Sequence, residues 1–358
     1  MSRPLDPATP GRILVRAANW VGDAVMTLPA LEALHAACPQ AAITVLAKPW
    51  VAGVYAPHPA VAGVVVYDKE GAHKGWAGLR RLARELAARE FDWAVLWQNA
   101  FEAAWLTRLA RIPVRVGYAT DGRGWLLSHP VDRPAAALQG HETSYYLHML
   151  HGVGLLAAAP PAAGVPPRLH LDPKEVRAAR DFLAGLGLEG PLLGAAPGAA
   201  FGPAKCWPAE RFAAVLRVLA PEMGAGVLLF GSEGEAAATR AVSAELNGIF
   251  RRDLAGHTSL ARALALLGQL DLFLCNDSGL MHAAAALGTP TVAVFGSTDP
   301  VRTGPLGSRA KVVRHPVDCA PCKKPTCRRD LICFQGVSAA EVAAAARDLL
   351  EAGERSPA

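Results

Sequence analysis

Short β-branched runs recur along this chain, each followed by a glycine- or proline-marked turn and then an amphipathic helix. The spacing predicts buried strands over residues 12–17, 43–47, 64–67 and 93–97, and a helix over 24–37. Trp76, Leu79, Leu82 and Leu86 recur at helical spacing, with Arg80, Arg81, Arg84 and Glu85 on the other side. Strands alternating with helices imply parallel pairing through crossover helices, the doubly wound α/β class.

The rhythm fades over residues 152–167, GVGLLAAAPPAAGVPP, which carry no charge and serve as the linker candidate. It restarts with strands at 192–196, 227–230, 272–275 and 291–295, and helices at 209–219, 260–267 and 280–287. Two domains are therefore expected, 1–167 and 168–358, and 358 residues suit two at the usual ~100–200 residues each. Both halves open with a strand, a polar loop and a helix, without a residue-level repeat. The expectation is two Rossmann-like parallel-sheet lobes facing each other across a cleft, with the C-terminal helix able to pack back on the first.

Composition narrows the class. Hydrophobic residues at 52% against charged residues at 19% exclude a disordered chain. The net charge, 36 − 31 = +5, is too small and too spread to argue for nucleic acid. The opening MSRPLDPATPGR has no apolar core of a secretory signal, and no apolar stretch approaches the roughly 18–20 residues of a membrane span. A soluble, cytoplasmic protein is expected, its seven cysteines being thiols or ligands rather than disulfides.

Three loops carry chemistry. The first is Ala18-Asn19-Trp20-Val21-Gly22-Asp23, directly after the first strand, where open α/β sheets hold ligands. Gly22 permits a tight turn or close ligand approach. Asp23 either caps the following helix or serves as a general base. The second loop runs from Pro197 through Gly198, Gly202, Lys205 and Cys206 to Trp207-Pro208. A glycine-rich turn with one lysine suits an anionic diphosphate, although the Gly-Lys-Ser/Thr ending of a Walker A loop is missing. The third is Asn276-Asp277-Ser278-Gly279-Leu280-Met281-His282. The amides at the helix start and the Ser278 hydroxyl make an anion site. Asp277 would repel phosphate, so it orients the turn or bonds a ligand hydroxyl; His282 is either a ligand contact or a satisfied core histidine.

The Trp-Val-Gly-Asp loop, the Pro-Gly-x-x-x-Gly-Pro-Ala-Lys-x-Trp-Pro stretch and the Asn-Asp-Ser-Gly-Leu-Met-His turn, in that order, resemble the lipopolysaccharide heptosyltransferases. The resemblance runs from about Arg12 to about Leu350 and implies the GT-B fold. It further implies inverting transfer of L-glycero-D-manno-heptose from ADP-heptose to a heptosyl-Kdo2-lipid A acceptor, with no cofactor. Asp23 matches the family's general base, and Lys205 the lysine that neutralises the donor phosphates. Asp277, Ser278, Gly279 and His282 match the turn that binds donor heptose and diphosphate. Asn19, Trp20, Gly22, Gly198 and Gly202 join the substrate-binding set. Glu235 matches the carboxylate on the adenosine ribose, and Thr258 by position a residue against the adenine. Cys206 stands where the family usually has Arg, so one phosphate or surface contact is in doubt. Trp20 before Val-Gly-Asp and the Gly-Pro-Ala-Lys run favour the second heptose transfer over the first or third. An epimerase of the same fold fits these loops less well, and the reading from another class is a non-catalytic nucleotide-binding module.

No Asp-x-Asp pair stands out to hold a divalent ion, which agrees with metal-free catalysis in the family. Cys319, Cys322, Cys327 and Cys333 have zinc-like spacing only at the first pair, so a compact thiol-lined loop competes with a metal site. Trp50, Trp76 and nearby basic residues fit a peripheral position on the inner face of the inner membrane, where such an acceptor is anchored.

Overall fold

A computed structural model describes residues 4–188 and 190–354, so the first three residues of the N-terminal segment lie outside it. The chain divides into two compact units, one ending at His170 and the next beginning at Leu171. The first holds β1 (Arg12–Arg16), β2 (Ala42–Ala47), β3 (Gly63–Val66), β4 (Trp93–Leu96), β5 (Val114–Tyr118) and β6 (His129–Val131). They form one parallel sheet in the order β3-β2-β1-β4-β5-β6. The second holds β7 (Leu192–Ala196), β8 (Gly226–Leu229), β9 (Arg251–Asp253), β10 (Leu272–Asn276), β11 (Thr291–Phe295) and β12 (Ala310–Arg314). Their order, β12-β11-β10-β7-β8-β9, is also wholly parallel.

Both orders are that of the Rossmann fold. In each unit the chain starts at the centre, winds to one edge, then returns to the centre and winds to the other. The connections therefore diverge beyond β1 and β4, and again beyond β7 and β10, opening a crevice at the carboxyl ends of those strands. The three loops singled out in the sequence follow β1, β7 and β10.

Core packing explains the pattern and corrects it in two places. Leu79, Leu82 and Leu86 of the helix Gly75–Ala87 are buried against Leu14, Leu46 and Leu96, but Trp76, read in the same stripe, is 53% exposed. The helix expected over 24–37 is two helices, Val21–Met26 and Leu28–Ala37. Pro29 offers no N–H to the preceding turn, and the Thr27 hydroxyl bonds the Ala24 carbonyl at 2.7 Å, closing the first helix. In the second unit Phe212, Leu216, Leu229, Leu274 and Val294 share a core with Phe334 and Val342. The last helix, Ala339–Glu354, lies on β11, β12 and the helix Ala209–Met223 of this same unit. The proline-rich stretch before it is tied to the first unit, His141 N donating to Ala162 O at 2.8 Å and Val165 N to Thr143 Oγ1 at 2.9 Å.

A buried histidine gives the first unit a pH dependence. Nδ1 of His58 accepts from Ala60 N at 3.2 Å, so Nε2 holds the proton, with Glu32 Oε1 3.8 Å away and the His170 ring edge-on at 4.8 Å. Burial above all, then His170 and His35, pushes its pKa down to about 4. The unfolded chain takes up that proton near its ordinary value of about 6.5, so the contribution is complete above that pH and lost as pH falls through about 4. The ceiling is about 3 kcal/mol. Denaturant unfolding at about pH 7 and about pH 4 should show wild type losing more stability than His58→Gln; equal losses would remove His58 as the cause.

Candidate active site

In the first unit the site turn follows β1. Asn19 is held twice: its Oδ1 accepts from Arg16 Nη2 at 2.9 Å, and its carbonyl accepts from Trp50 Nε1 at 2.7 Å. Arg16 is itself buried, its Nη1 donating to Ala17 O at 2.6 Å, and burial lowers its pKa to about 10, so it is charged at neutral pH. Trp20 is the N-cap in extended backbone and is 60% exposed, while Gly22 is buried. The helix starts at Val21, so Asp23 is its third residue rather than its cap, half-buried where the helix dipole favours a carboxylate. Burial foremost, with the Asp23 charge adding to it, keeps the Tyr55 and Tyr146 hydroxyls protonated.

Two groups near this crevice escaped the sequence reading. Buried Arg123 donates from Nε to Tyr118 O at 2.9 Å, from Nη2 to Asn99 Oδ1 at 3.0 Å, and from Nη1 to Gln98 O. It thereby fixes the turn beyond β4. Arg16 at the end of β1, Lys48 after β2 and Lys69 after β3 gather together, Lys48 lying 4.2 Å above the Tyr67 ring and Lys69 pairing with Glu102 at 2.5 Å. Burial first, then Arg16 and Lys69, lowers the pKa of Lys48. The carboxylates Glu102 and Glu70 offset part of this positive charge.

In the second unit the loop beyond β7 and the turn beyond β10 are locked together. Asn276 Oδ1 accepts from Trp207 N at 3.0 Å, and its Nδ2 donates to Pro197 O at 2.7 Å. Lys205 Nζ pairs with Asp277 Oδ2 at 2.7 Å, the side chains being 17% and 5% exposed, and Nζ sits 5.3 Å from the Phe201 ring. Ser278 is the N-cap of the helix Gly279–Ala286 without a side-chain cap bond, and its buried hydroxyl has no hydrogen-bond partner among the described residues. Ser297 and Thr298, beyond neighbouring β11, carry hydroxyls in the same condition. Such buried donors are costly unless a polar group arrives to use them. His282 is buried at the fourth position of that helix.

Two glycines have steric reasons. A Cβ on Gly198 would meet Glu235 Cβ and Cγ at 2.7 Å, so the two candidate residues touch only because Gly198 has no side chain. Gly202 has φ +142°, and a Cβ there would meet Pro325 O at 2.6 Å. One Glu235 oxygen accepts from Ser232 N at 2.8 Å and Oγ at 2.6 Å, leaving Oε1 toward Gly198. Thr258 stands apart from this cluster, lining a cavity of about 210 Å³ with Phe182, His257 and Arg262. Its loop joins the Glu235 turn through Gly256 N to Gly231 O at 3.1 Å.

The cysteine segment props the same loops. Ala204 N donates to Pro325 O at 3.0 Å and Lys323 N to Ser297 O at 2.8 Å. Cys319 and Cys322 are half-buried, Cys327 is exposed, and Cys333 lies in the core beside Phe334. Among the described residues, the group of metal-ligating side chains within 4.8 Å of one another is Glu32, His58 and His170 instead. Cys206 places its thiol 3.9 Å from Gly202 O, and burial raises its pKa.

A family model for glycosyltransferase family 9 (heptosyltransferase) matches residues 79–332. Lipopolysaccharide heptosyltransferase 2 of Salmonella typhimurium is 34% identical over 311 residues, covering 85% of this chain and 88% of its own. Its Escherichia coli counterpart is 33% identical over 310 residues, with the same coverage. The solved E. coli ADP-heptose LPS heptosyltransferase II superposes with a TM-score of 0.82 at 30% identity, covering 96% of this chain and 99% of that one. The paired Rossmann-order sheets are thus of the GT-B type.

Proposed function

This chain belongs to glycosyltransferase family 9, the heptosyltransferases, and we propose that it moves L-glycero-D-manno-heptose from ADP-heptose onto the first heptose of the lipopolysaccharide inner core. The observation carrying this reading is the Lys205–Asp277 pair beside the Ser278 hydroxyl, at the amino end of the helix Gly279–Ala286. A cation, a hydroxyl donor and helix amides suit the leaving diphosphate, on which negative charge grows during transfer.

In the proposed reaction Asp23 takes the proton of the acceptor hydroxyl as its oxygen bonds to the anomeric carbon. The bond from that carbon to ADP breaks on the opposite face, and ADP leaves with the electron pair, inverting the centre. Lys205 turns its ammonium to the diphosphate, releasing Asp277 to accept from a heptose hydroxyl. Glu235 Oε1, turned toward Gly198, suits a ribose hydroxyl, and Thr258 the edge of the adenine. The first unit is proposed to bind the acceptor and the second the donor. Among the described residues no helix is long and apolar enough to cross a membrane. Access to a lipid-anchored acceptor is therefore proposed to come from peripheral docking on the cytoplasmic side.

Purified protein with ADP-heptose should extend an acceptor bearing one heptose, read as one heptose of added mass. Extension only of an acceptor with none or with two would reassign the step. ADP binding without transfer to any of the three would leave a nucleotide-binding module.

A further inference from the structure

The helices Gly75–Ala87 and Phe101–Leu109 pack side by side on one face of the first sheet, and their outer surface is unusual. Trp76, Phe101 and Trp125 are 53%, 43% and 71% exposed, and all three connect through half-buried Trp105. Trp105 lies 6.4 Å from Trp76, 6.3 Å from Phe101 and 6.5 Å from Trp125. Single exposed aromatics are ordinary, but three joined into one patch through Trp105 mark a surface that meets something. Arg80 lies 5.5 Å over the Trp76 ring, and from there Arg80, Arg84 and Arg111 line a shallow groove of about 570 Å³. None of these three arginines forms an ion pair among the described residues, while the nearby acid Glu85 is 3.4 Å from His73.

Rings of this kind are stable at the level of lipid headgroups, where one edge is apolar and the other wet. Unpaired arginines beside them complement anionic headgroups rather than a neutral partner. We infer that this face docks the protein on an anionic lipid surface, the rings entering the headgroup layer and Arg80, Arg84 and Arg111 pairing with lipid phosphates. This rests on the membrane-docking reading above and adds the ring cluster, the three arginines and the lipid charge that would produce it.

The test is flotation of the full chain with vesicles of phosphatidylcholine alone or mixed with phosphatidylglycerol, at low salt. Wild type should float only with the anionic vesicles. R80Q/R84Q/R111Q should partition on the order of 100-fold more weakly, roughly 5-fold per arginine, and W76S/W125S should also weaken. The control R177Q/R240Q/R309Q removes as many exposed charges from the second unit and should float like wild type. On a soluble, deacylated acceptor all variants should keep wild-type turnover. If wild type floats and R80Q/R84Q/R111Q floats equally, this face is wrong while membrane docking stands. If wild type fails to float at low salt, the docking reading itself falls. If W76S/W125S instead turns a dimer into a monomer with flotation unchanged, the face joins copies of the chain and the lipid assignment is overturned.

Discussion

Asp23→Asn should lower heptose transfer by on the order of 10²–10⁴ while ADP binding stays within about twofold of wild type. The substitution keeps the shape of a half-buried side chain in the first turn of the helix Val21–Met26 and removes only its basicity. The neighbouring Tyr55 and Tyr146 hydroxyls are held protonated by burial and by the Asp23 charge, so neither accepts a proton near neutral pH. Arg16 beneath the turn is a cation and can only donate. The residues proposed to hold the donor belong to the other unit, which is why nucleotide affinity should not move. Single-turnover transfer and calorimetric ADP titration on the same preparation decide it. Transfer within tenfold of wild type would remove Asp23 from the chemistry. Loss of transfer and of ADP binding together would point to a fold defect instead.

How much of this was written in the sequence depends on whether a residue acts through its neighbours in the chain or through distant ones. The central strands were legible because both their faces are covered, which forces continuous apolar runs such as Leu192–Ala196 and Thr291–Phe295. Of the edge strands only β3 was; β6, β9 and β12 were not. β9 is Arg-Arg-Asp, three polar residues that no apolar pattern marks, and charged edges of this kind discourage pairing with other chains. The site loops were legible because they sit beyond strand ends with glycine, lysine and acid close in sequence. Asn276 was quoted in its motif without a role, because its partners Pro197 and Trp207 lie about 70–80 residues away. Arg123 was missed for the same reason, since its value lies in the carbonyls it reaches. Ser297 and Thr298 left a signal, two hydroxyls shortly after a buried strand, that only the β10–β11 pairing places beyond the strand next to the one Ser278 follows.

Lys205→Met should do two separable things. It removes the donor proposed to face the departing diphosphate, and loss of such a donor typically costs on the order of 10²–10³ in rate. It also strands the Asp277 carboxylate, 5% exposed and paired with Lys205 at 2.7 Å, and breaking a buried pair from one side costs roughly 3–5 kcal/mol. A drop in activity alone would therefore be ambiguous between chemistry and folding. The double variant Lys205→Met/Asp277→Asn resolves it, because no charge is then left unpaired. Its unfolding free energy should return to within about 1 kcal/mol of wild type while transfer stays down by on the order of 10²–10³. Stability restored with transfer still lost assigns the pair to the bound donor rather than to the fold. Transfer restored along with stability would make the pair a structural brace and leave the helix amides and Ser278 alone to carry the diphosphate.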